Sequence, residues 1–324
     1  MNIGLDMMGG DFAPLEAVLG LQQHMSRVDS PAIVFCIGDE AQLHPLLEAH
    51  QLANHPRIKV VHAPEVIGYH EHPTKALKEK QQSSIAIGFY LLATGKLDAF
   101  ISAGNTGAML VGAMFSIKAI EGVQRPTIAT VMPKVNGSTG LLLDVGLNAD
   151  CKPEHLNQFA ILGSLYANNI LGIEQPKVAL LNVGEEEGKG NLLAQATYPL
   201  LKTNTQIQFA GNVEGRDIFN DKADVIVCDG FTGNVILKMA ESMYDIACQR
   251  QVQNDAYFSR FHYQNYGGTP VLGVNKPVII GHGISNAVAF DNMIQLAEKM
   301  VDSDLCGKIK ASFKTSDETA NPAQ

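Results

Sequence analysis

The sequence predicts an α/β fold with a mainly parallel sheet covered on both faces by helices, and three observations carry that prediction. Short β-rich apolar runs alternate with segments of helical spacing along the chain. Several runs are apolar throughout and Val178 to Val183 is nearly so, as strands buried between two helical layers must be. Glycine-rich turns follow the runs, which marks strand-to-helix junctions.

In chain order, Ile3 to Asp6 reads as a strand broken at Met8-Gly9-Gly10-Asp11, and Pro14 stands where a helix can begin. Ala32 to Ile37 is β-rich and ends in Gly38-Asp39, with an amphipathic helix to His50 and a strand at Ile58 to His62. The spacing predicts one helix over 74–88, with Lys75, Lys78 and Lys80 in its first turns. Ala99 to Ile101 is a strand, and a long helix runs from Thr106 to about Ile120. Ile128 to Met132 and Thr139 to Val145 form a strand pair through Asn136-Gly137, a turn signal. Pro153 opens a helix to about Asn169, and Leu192 to Lys202 is another. Ile207 to Ala210, Val225 to Cys228 and Val278 to Ile280 complete the strands, and Asn286 to Val301 is a closing helix. No flexible linker divides the chain, so it reads as one catalytic domain over 1–313. Its hairpin excursion near 125–146 can form a small lobe or a dimer contact, and 314–324 reads as a disordered tail.

Composition excludes several classes. A formal charge of −9 argues against a general nucleic-acid binder. Five scattered cysteines, odd in number and without metal-ligand spacing, read as reduced thiols of a cytosolic protein. The N-terminus lacks the features of a secretory signal, and no apolar run approaches membrane-spanning length.

The chemistry concentrates in the turns. Gly104-Asn105-Thr106-Gly107 and Gly230-Phe231-Thr232-Gly233 both spell Gly-x-Thr-Gly ahead of a helix. Either alone reads as an ordinary junction; two in one chain point to a shared ligand. A helix start offers free N–H groups and partial positive charge, which suits an anion. Gly9-Gly10, the Gly184 to Gly190 turn and Gly281-His282-Gly283 also follow strands. In an open α/β sheet the carboxyl ends of parallel strands face one crevice, so these turns are expected to converge.

Other sites fail on their own patterns. Gly184-Glu-Glu-Glu-Gly188-Lys189-Gly190 is one residue short of a P-loop and lacks its hydroxyl. Gly188-Lys-Gly190 and Gly281-His-Gly283 each miss the third glycine of a dinucleotide fingerprint, and Gly-x-Ser-x-Gly and His-Glu-x-x-His are absent. An anion site without metal or cofactor is what remains. Lys189 is either a solvated loop residue or a cation held among glycines to neutralise phosphate. Asn234 can donate to an oxyanion or satisfy a neighbouring backbone group. Arg216 is an anion clamp or a partner of Glu214 or Asp217. His282 is a packed histidine or an acid/base. Asp11 and Asp229 read as helix caps. Lys75, Lys78 and Lys80 are a solvated face or a dock for phosphate or an acidic protein.

Taken together, these motifs resemble one family, the bacterial phosphate acyltransferases of phospholipid synthesis (the PlsX family). The resemblance runs from Asp6-Met-Met-Gly-Gly-Asp11 through Ile101-Ser-Ala-Gly-Asn-Thr-Gly-Ala108, Leu142-Leu-Leu-Asp-Val-Gly146, Lys152-Pro-Glu-His155 and Leu181-Asn-Val-Gly184. It continues through Lys189-Gly-Asn191, Gly211-Asn-Val-Glu214, Asp229-Gly-Phe-Thr-Gly-Asn234 and Tyr266-Gly-Gly268 to His282-Gly283, nearly the whole chain. It implies an α/β/α sandwich akin to phosphotransacetylases and the isopropylmalate-dehydrogenase superfamily. It also implies a cofactor-free homodimer that moves a fatty acyl group from acyl-[acyl-carrier protein] to inorganic phosphate.

By that resemblance Lys189 and Asn234 are the catalytic pair. From the turn chemistry, Gly9, Gly10, Gly104, Asn105, Thr106, Gly107, Arg216, Gly230, Thr232, Gly233 and His282 are expected to bind phosphate or substrate, and the basic face of Lys75, Lys78 and Lys80 is the candidate dock for the acidic carrier. The family places the enzyme in the cytoplasm, peripheral to the inner face of the membrane and in contact with a downstream glycerol-3-phosphate acyltransferase. Met7 stands where the family has alanine, and the stretch from Lys238 to Tyr266 is shorter than the family's amphipathic helical hairpin. That shortening puts the membrane contact in question rather than the reaction. The alternatives are a phosphotransacetylase-like enzyme acting on acyl-CoA and a non-catalytic acyl or phosphate binder.

Overall fold

A computed structural model describes residues 1–319 other than Val28 and Gln253, so 320–324 of the expected tail lie outside the described residues. The chain begins β1 (Asn2–Asp6), α1 (Leu15–Met25), β2 (Ile33–Gly38), α2 (Glu40–Ala49), β3 (Ile58–His62), α3 (Pro73–Glu79), α4 (Ser84–Ala93), β4 (Ala99–Ser102) and α5 (Thr106–Gly112). It continues β5 (Thr127–Pro133), β6 (Thr139–Leu143), α6 (Pro153–Asn169), β7 (Lys177–Leu181), α7 (Leu192–Thr203), β8 (Gln208–Val213), β9 (Val225–Val227) and α8 (Gly230–Gln249). It ends with β10 (Gly268–Leu272), β11 (Val278–Gly281), α9 (Ala287–Asp302) and α10 (Leu305–Thr319). Read from sequence as one domain over 1–313, the chain gathers its contacts into two compact units. One is Met1–Ala119 with Tyr263–Cys306; the other is Ile120–His262 with the residues from Gly307 on.

In the first unit the strands lie in the order β3-β2-β1-β4-β11-β10, parallel except for β10 against β11. Ile3, Leu5, Phe100 and Ile101 are fully buried, as central strands covered on both faces require. Gly88 lets α4 settle onto that sheet, since a Cβ there would lie 2.2 Å from the Phe100 ring. Helices α1 and α9 are joined by a buried polar cluster. His24 Nδ1 is 3.2 Å from Asp291 Oδ1 and its Nε2 is 2.9 Å from Ser30 Oγ. The Ser30 hydroxyl donates to Glu298 (2.5 Å), and the Arg27 guanidinium donates to Asp291 (2.6 Å). Burial alone would raise the Glu298 carboxyl, but the hydrogen bonds from His24 and Ser30 outweigh it and hold it below the usual range.

In the second unit the order is β5-β6-β9-β7-β8, with β5 antiparallel to β6 and the remaining pairs parallel. The expected hairpin is present: β5 and β6 turn through Asn136-Gly137, with Gly137 at φ +88°, a conformation that favours glycine. Helix α6 lies close over β9 because Gly163 has no side chain; a Cβ there would sit 2.6 Å from Val225 Cγ1.

Four expectations need correction. The single helix over 74–88 is two helices, since Lys80 leaves helical backbone and the Ser83 hydroxyl caps α4 by accepting from Ala86 N–H. The long helix after Thr106 loosens into a π-helical turn at Ala113–Ile117 and stops at Lys118, whose φ is +66°. Strand β10 went unrecognised because Pro270 and its glycine flank depress the strand signal. The stretch expected to be a tail begins inside α10, where Phe313 is buried.

Removing Asp291 as Asp291→Ala leaves His24 and Arg27 without their shared carboxylate, and should cost about 3 kcal/mol in urea unfolding. The depressed Glu298 carboxyl contributes stability that is present above about pH 4.5 and lost as pH falls through its folded value. Glu298→Gln should therefore flatten the acid limb of the unfolding midpoint measured against pH.

Candidate functional site

Two buried aspartates, one at or just past a central strand end in each unit, shape the turns that follow. In the first unit β1 ends at Asp6, which is fully buried. Its Oδ1 accepts from Met8 N–H (2.9 Å) and Gly9 N–H (3.1 Å). Its Oδ2 accepts from the Ser102 hydroxyl (2.6 Å), and Ser102 Oγ accepts from Gly104 N–H (3.0 Å). One carboxyl thus holds the Gly9-Gly10 turn after β1 and, through Ser102, the Gly104 to Gly107 turn after β4. Burial pushes Asp6 up from its ordinary value, against the pull of those hydrogen bonds.

The two turns meet backbone to backbone, for a Cβ on Gly9 would lie 2.6 Å from Gly104 N. Gly10 takes φ +116°, and Asp11 N–H donates to Gly283 O (2.7 Å). The Tyr69 hydroxyl donates to Ala103 O (3.1 Å) and lies 3.0 Å from where a Gly283 Cβ would be. Burial, with Asp11 and Asp6 nearby, pushes the Tyr69 phenol up to about 12. Three glycine turns, including the one carrying His282, therefore come together within this unit. Asn105 is committed to structure: its Oδ1 caps α5 by accepting from Ala108 N–H (2.9 Å), and its Nδ2 donates to Gly68 O (2.9 Å). Thr106 is exposed at the first turn of α5.

In the second unit Asp144, just past β6 and fully buried, plays the corresponding part. Its Oδ1 accepts from Gly146 N–H (3.3 Å) and Leu147 N–H (3.2 Å), and its Oδ2 accepts from Asn148 N–H (2.6 Å). Helix α8 starts pressed onto this turn. A Cβ on Gly233 would lie 1.8 Å from Asp144 O and one on Gly230 2.7 Å from Asn148 O, so only glycine fits. Asp229 caps the helix, accepting from Thr232 N–H (2.9 Å) and the Thr232 hydroxyl (2.8 Å). Asn234 stands exposed one turn in, its Nδ2 donating to Val145 O (3.1 Å).

The turn after β7 carries Lys189. Asn182 Nδ2 donates to Lys189 O (3.1 Å), and Gly190 takes φ +99° with no room for a side chain beside Asn182. Glu185 pairs with Lys222 (2.6 Å) and Glu187 with Lys202 (2.8 Å), while the exposed Lys189 is outside those pairs. A cavity of about 330 Å³ opens at the carboxyl ends of β7 and β9. Leu156, Leu180 and Ile236 give it apolar walls. Its polar margin includes Asn182 and Asn191, which flank Lys189 in sequence, and Thr232, just ahead of Asn234.

Other expected residues stand elsewhere. Arg216 is exposed and pairs with Glu214 (3.1 Å). Lys80 donates to Glu71 (2.6 Å) and Val66 O (2.8 Å), so of the three lysines expected to dock a partner it is committed to structure. Lys75 reaches Glu79 only at 3.9 Å, and Lys78 is exposed. Sequence reasoning passed over Asp6, Ser102, Tyr69, Asp144 and Asn148. For the aspartates a signal existed, an Asp at a strand end with glycine two or three residues on, the pattern of a side chain capping its own turn.

Comparison with known proteins agrees with this architecture. A family model described as "Fatty acid synthesis protein" matches residues 1–308. A phosphate acyltransferase of Dictyoglomus turgidum is 42% identical over 328 residues, covering 95% of this chain and 96% of that protein. Among solved structures, a phosphotransacetylase from Streptococcus pyogenes superposes with a TM-score of 0.67 at 17% identity, over 93% of this chain and 94% of that one. A 4-hydroxythreonine-4-phosphate dehydrogenase from Klebsiella pneumoniae superposes with a TM-score of 0.55 at 12% identity, over 92% and 97%. These likenesses bear out the α/β/α fold expected from the sequence. With a family match over residues 1–308 and 42% identity across nearly its full length, the chain belongs to the phosphate acyltransferase family.

Proposed function

We propose that this enzyme transfers a fatty acyl group from acyl-[acyl-carrier protein] to inorganic phosphate, releasing the carrier thiol and giving acyl phosphate for phospholipid synthesis. The observation that carries the reading is the second-unit cavity, with apolar walls and with Asn182, Asn191 and Thr232, sequence neighbours of Lys189 and Asn234, on its margin. A phosphate oxygen attacks the thioester carbonyl carbon, and the C=O electrons move onto oxygen. The tetrahedral oxyanion then collapses, the C–S bond breaks, and the thiolate leaves and takes up a proton. A thiol pKa of about 8.5 makes that departure undemanding. The enzyme's task is therefore to position a multiply charged nucleophile and to stabilise the oxyanion.

Lys189 and Asn234 are assigned to the oxyanion and the phosphate. The turns carrying Gly9, Gly10, Gly104, Thr106, Gly107, Gly230, Thr232 and Gly233 are assigned to substrate binding, with His282 and Arg216 in support. Lys75 and Lys78 are assigned to the carrier. We assign a homodimer to the apolar stripe of α8, where Phe231, Val235, Met239 and Ile246 share an exposed face. Among the described residues no helix is long and apolar enough to cross a membrane. We accordingly propose a cytoplasmic enzyme that meets the inner face of the membrane, and a downstream glycerol-3-phosphate acyltransferase, only peripherally.

Acyl-carrier protein and phosphate supplied together should yield acyl phosphate, trapped as the hydroxamate. Acyl-CoA serving equally well would favour the phosphotransacetylase-like alternative, and ligand binding without thiol release would favour a non-catalytic binder. Lys189→Ala and Asn234→Ala should each lower kcat by about 10²-fold or more with unchanged thermal unfolding. Near-normal turnover in either would remove that residue from the mechanism. Asp6→Ala leaves Met8 N–H, Gly9 N–H and the Ser102 hydroxyl unpaired, at about 1–3 kcal/mol each. It should raise the phosphate KM by about tenfold or more, and a destabilised variant with normal phosphate KM would separate the clamp from binding.

A further inference from the structure

The first unit carries a second concavity, of about 850 Å³, that the acyl-transfer chemistry leaves unused. Its walls come from α3, α4 and the π-helical turn after α5: Leu77 and Lys78 on one side, Ile87 and Tyr90 along α4, and Phe115 opposite. The floor is Phe89, only 2% exposed. It is a built feature. Gly112 brings α5 against α4, since a Cβ there would lie 2.1 Å from the Phe89 ring. The π-helical turn shifts the helical register by one residue, a device found at functional positions. Phe115 lies within that turn and is 71% exposed, while Tyr90 on the same rim is 61% exposed. Single exposed apolar residues are ordinary; two large aromatics on the rim of one apolar groove are the pattern of interface anchors.

Charge selects the occupant. In a chain of net charge −9, no aspartate or glutamate among the described residues lines this groove. Lys78 stands in its wall, and Lys96 Nζ lies 6.0 Å from the Tyr90 ring centroid. Lys75 is on the same helix as Lys78 at i,i+3 spacing, with only a long contact to Glu79. An apolar trough with a cationic margin is complementary to a helix that bears an apolar stripe flanked by carboxylates.

We infer that this groove receives an acidic amphipathic helix of a protein partner, with Phe115 and Tyr90 as anchors and Lys75, Lys78 and Lys96 as the charged margin. The inference rests on the proposed function in one respect: it identifies that partner as the carrier of the acyl group. A lipid surface fits less well, because anionic-lipid sites gather about four to eight basic residues on a projecting face, whereas here the apolar surface is recessed.

The test is Phe115→Glu in the full chain. The side chain is exposed enough that folding is not at stake, and thermal unfolding checks this. The KM for acyl-[acyl-carrier protein] should rise by about tenfold or more, and the wild-type KM should itself rise with added salt. Turnover of a short acyl-pantetheine thioester should stay within about twofold, as a residue remote from the reacting atoms allows. An unchanged carrier KM overturns the inference. So does an equal loss on carrier and pantetheine substrates that grows with chain length, which would mean that the groove holds the acyl chain. Loss of binding to phosphatidylglycerol vesicles with carrier KM intact would assign it to lipid and equally overturn the proposal. If the wild type forms no acyl phosphate from any thioester, the proposed function fails by itself. Direct binding of the carrier to wild type and Phe115→Glu, read by fluorescence anisotropy, then decides the groove separately.

Discussion

Each unit is organised around a carboxylate buried at or next to the end of a central strand. Asp6 and Asp144 are both fully enclosed, and each gathers N–H donors from the turn that follows, Asp6 adding the Ser102 hydroxyl from β4. A buried carboxylate is tolerable only when its acceptor capacity is filled, and the groups that fill it are then held in turn. The backbone of each turn therefore cannot relax without exposing an unsatisfied charge or an unpaired amide. This is how bare glycine backbone keeps a fixed shape. Flexibility in composition is converted into rigidity in place.

The glycines divide into two physical classes that their spelling does not distinguish. Gly10 and Gly190 take positive φ, a conformation that other residues rarely adopt. Gly230 and Gly233 are needed because α8 is pressed against the turn made by Asp144 and Asn148, where a side chain would overlap backbone. Gly104 and Gly107 resemble that pair in sequence, yet Gly107 is small to clear the ring of Pro73. Two matching Gly-x-Thr-Gly turns thus arise partly from packing, and their backbone lacks side chains as a consequence of how closely the helices sit.

Most of the strand–helix alternation was legible because apolar runs, turn glycines and capping residues all act locally. Asn105, Ser83, Asp229 and Asn286 cap helices where a polar residue preceding an apolar segment would be expected to. What sequence spacing hides is set by distant residues. The break between α3 and α4 depends on Lys80 leaving helical backbone and on Ser83. The pairing of Lys80 depends on Glu71, and that of the exposed Arg216 on Glu214. The division into two units left no mark in composition, because the chain crosses between them inside ordinary segments rather than through a polar linker. The candidate catalytic residues were found through family likeness; Asp6 and Asp144, which act only through other groups, were not.

The interleaving of the units carries a consequence for biogenesis. The sheet of the first unit is closed by β11 beside β4, with Val278 opposite Phe100, and its helix α1 is tied to α9 through Asp291. During synthesis the earlier half of that sheet leaves the ribosome long before its partners exist, while every strand of the second unit has already emerged. The second unit can thus condense first, leaving the nascent N-terminal strands with one flank of β4 open until the returning segment arrives. An unpaired apolar strand of that kind is a template for intermolecular pairing. Yield in the cell should thus depend on what shields β4 during that interval.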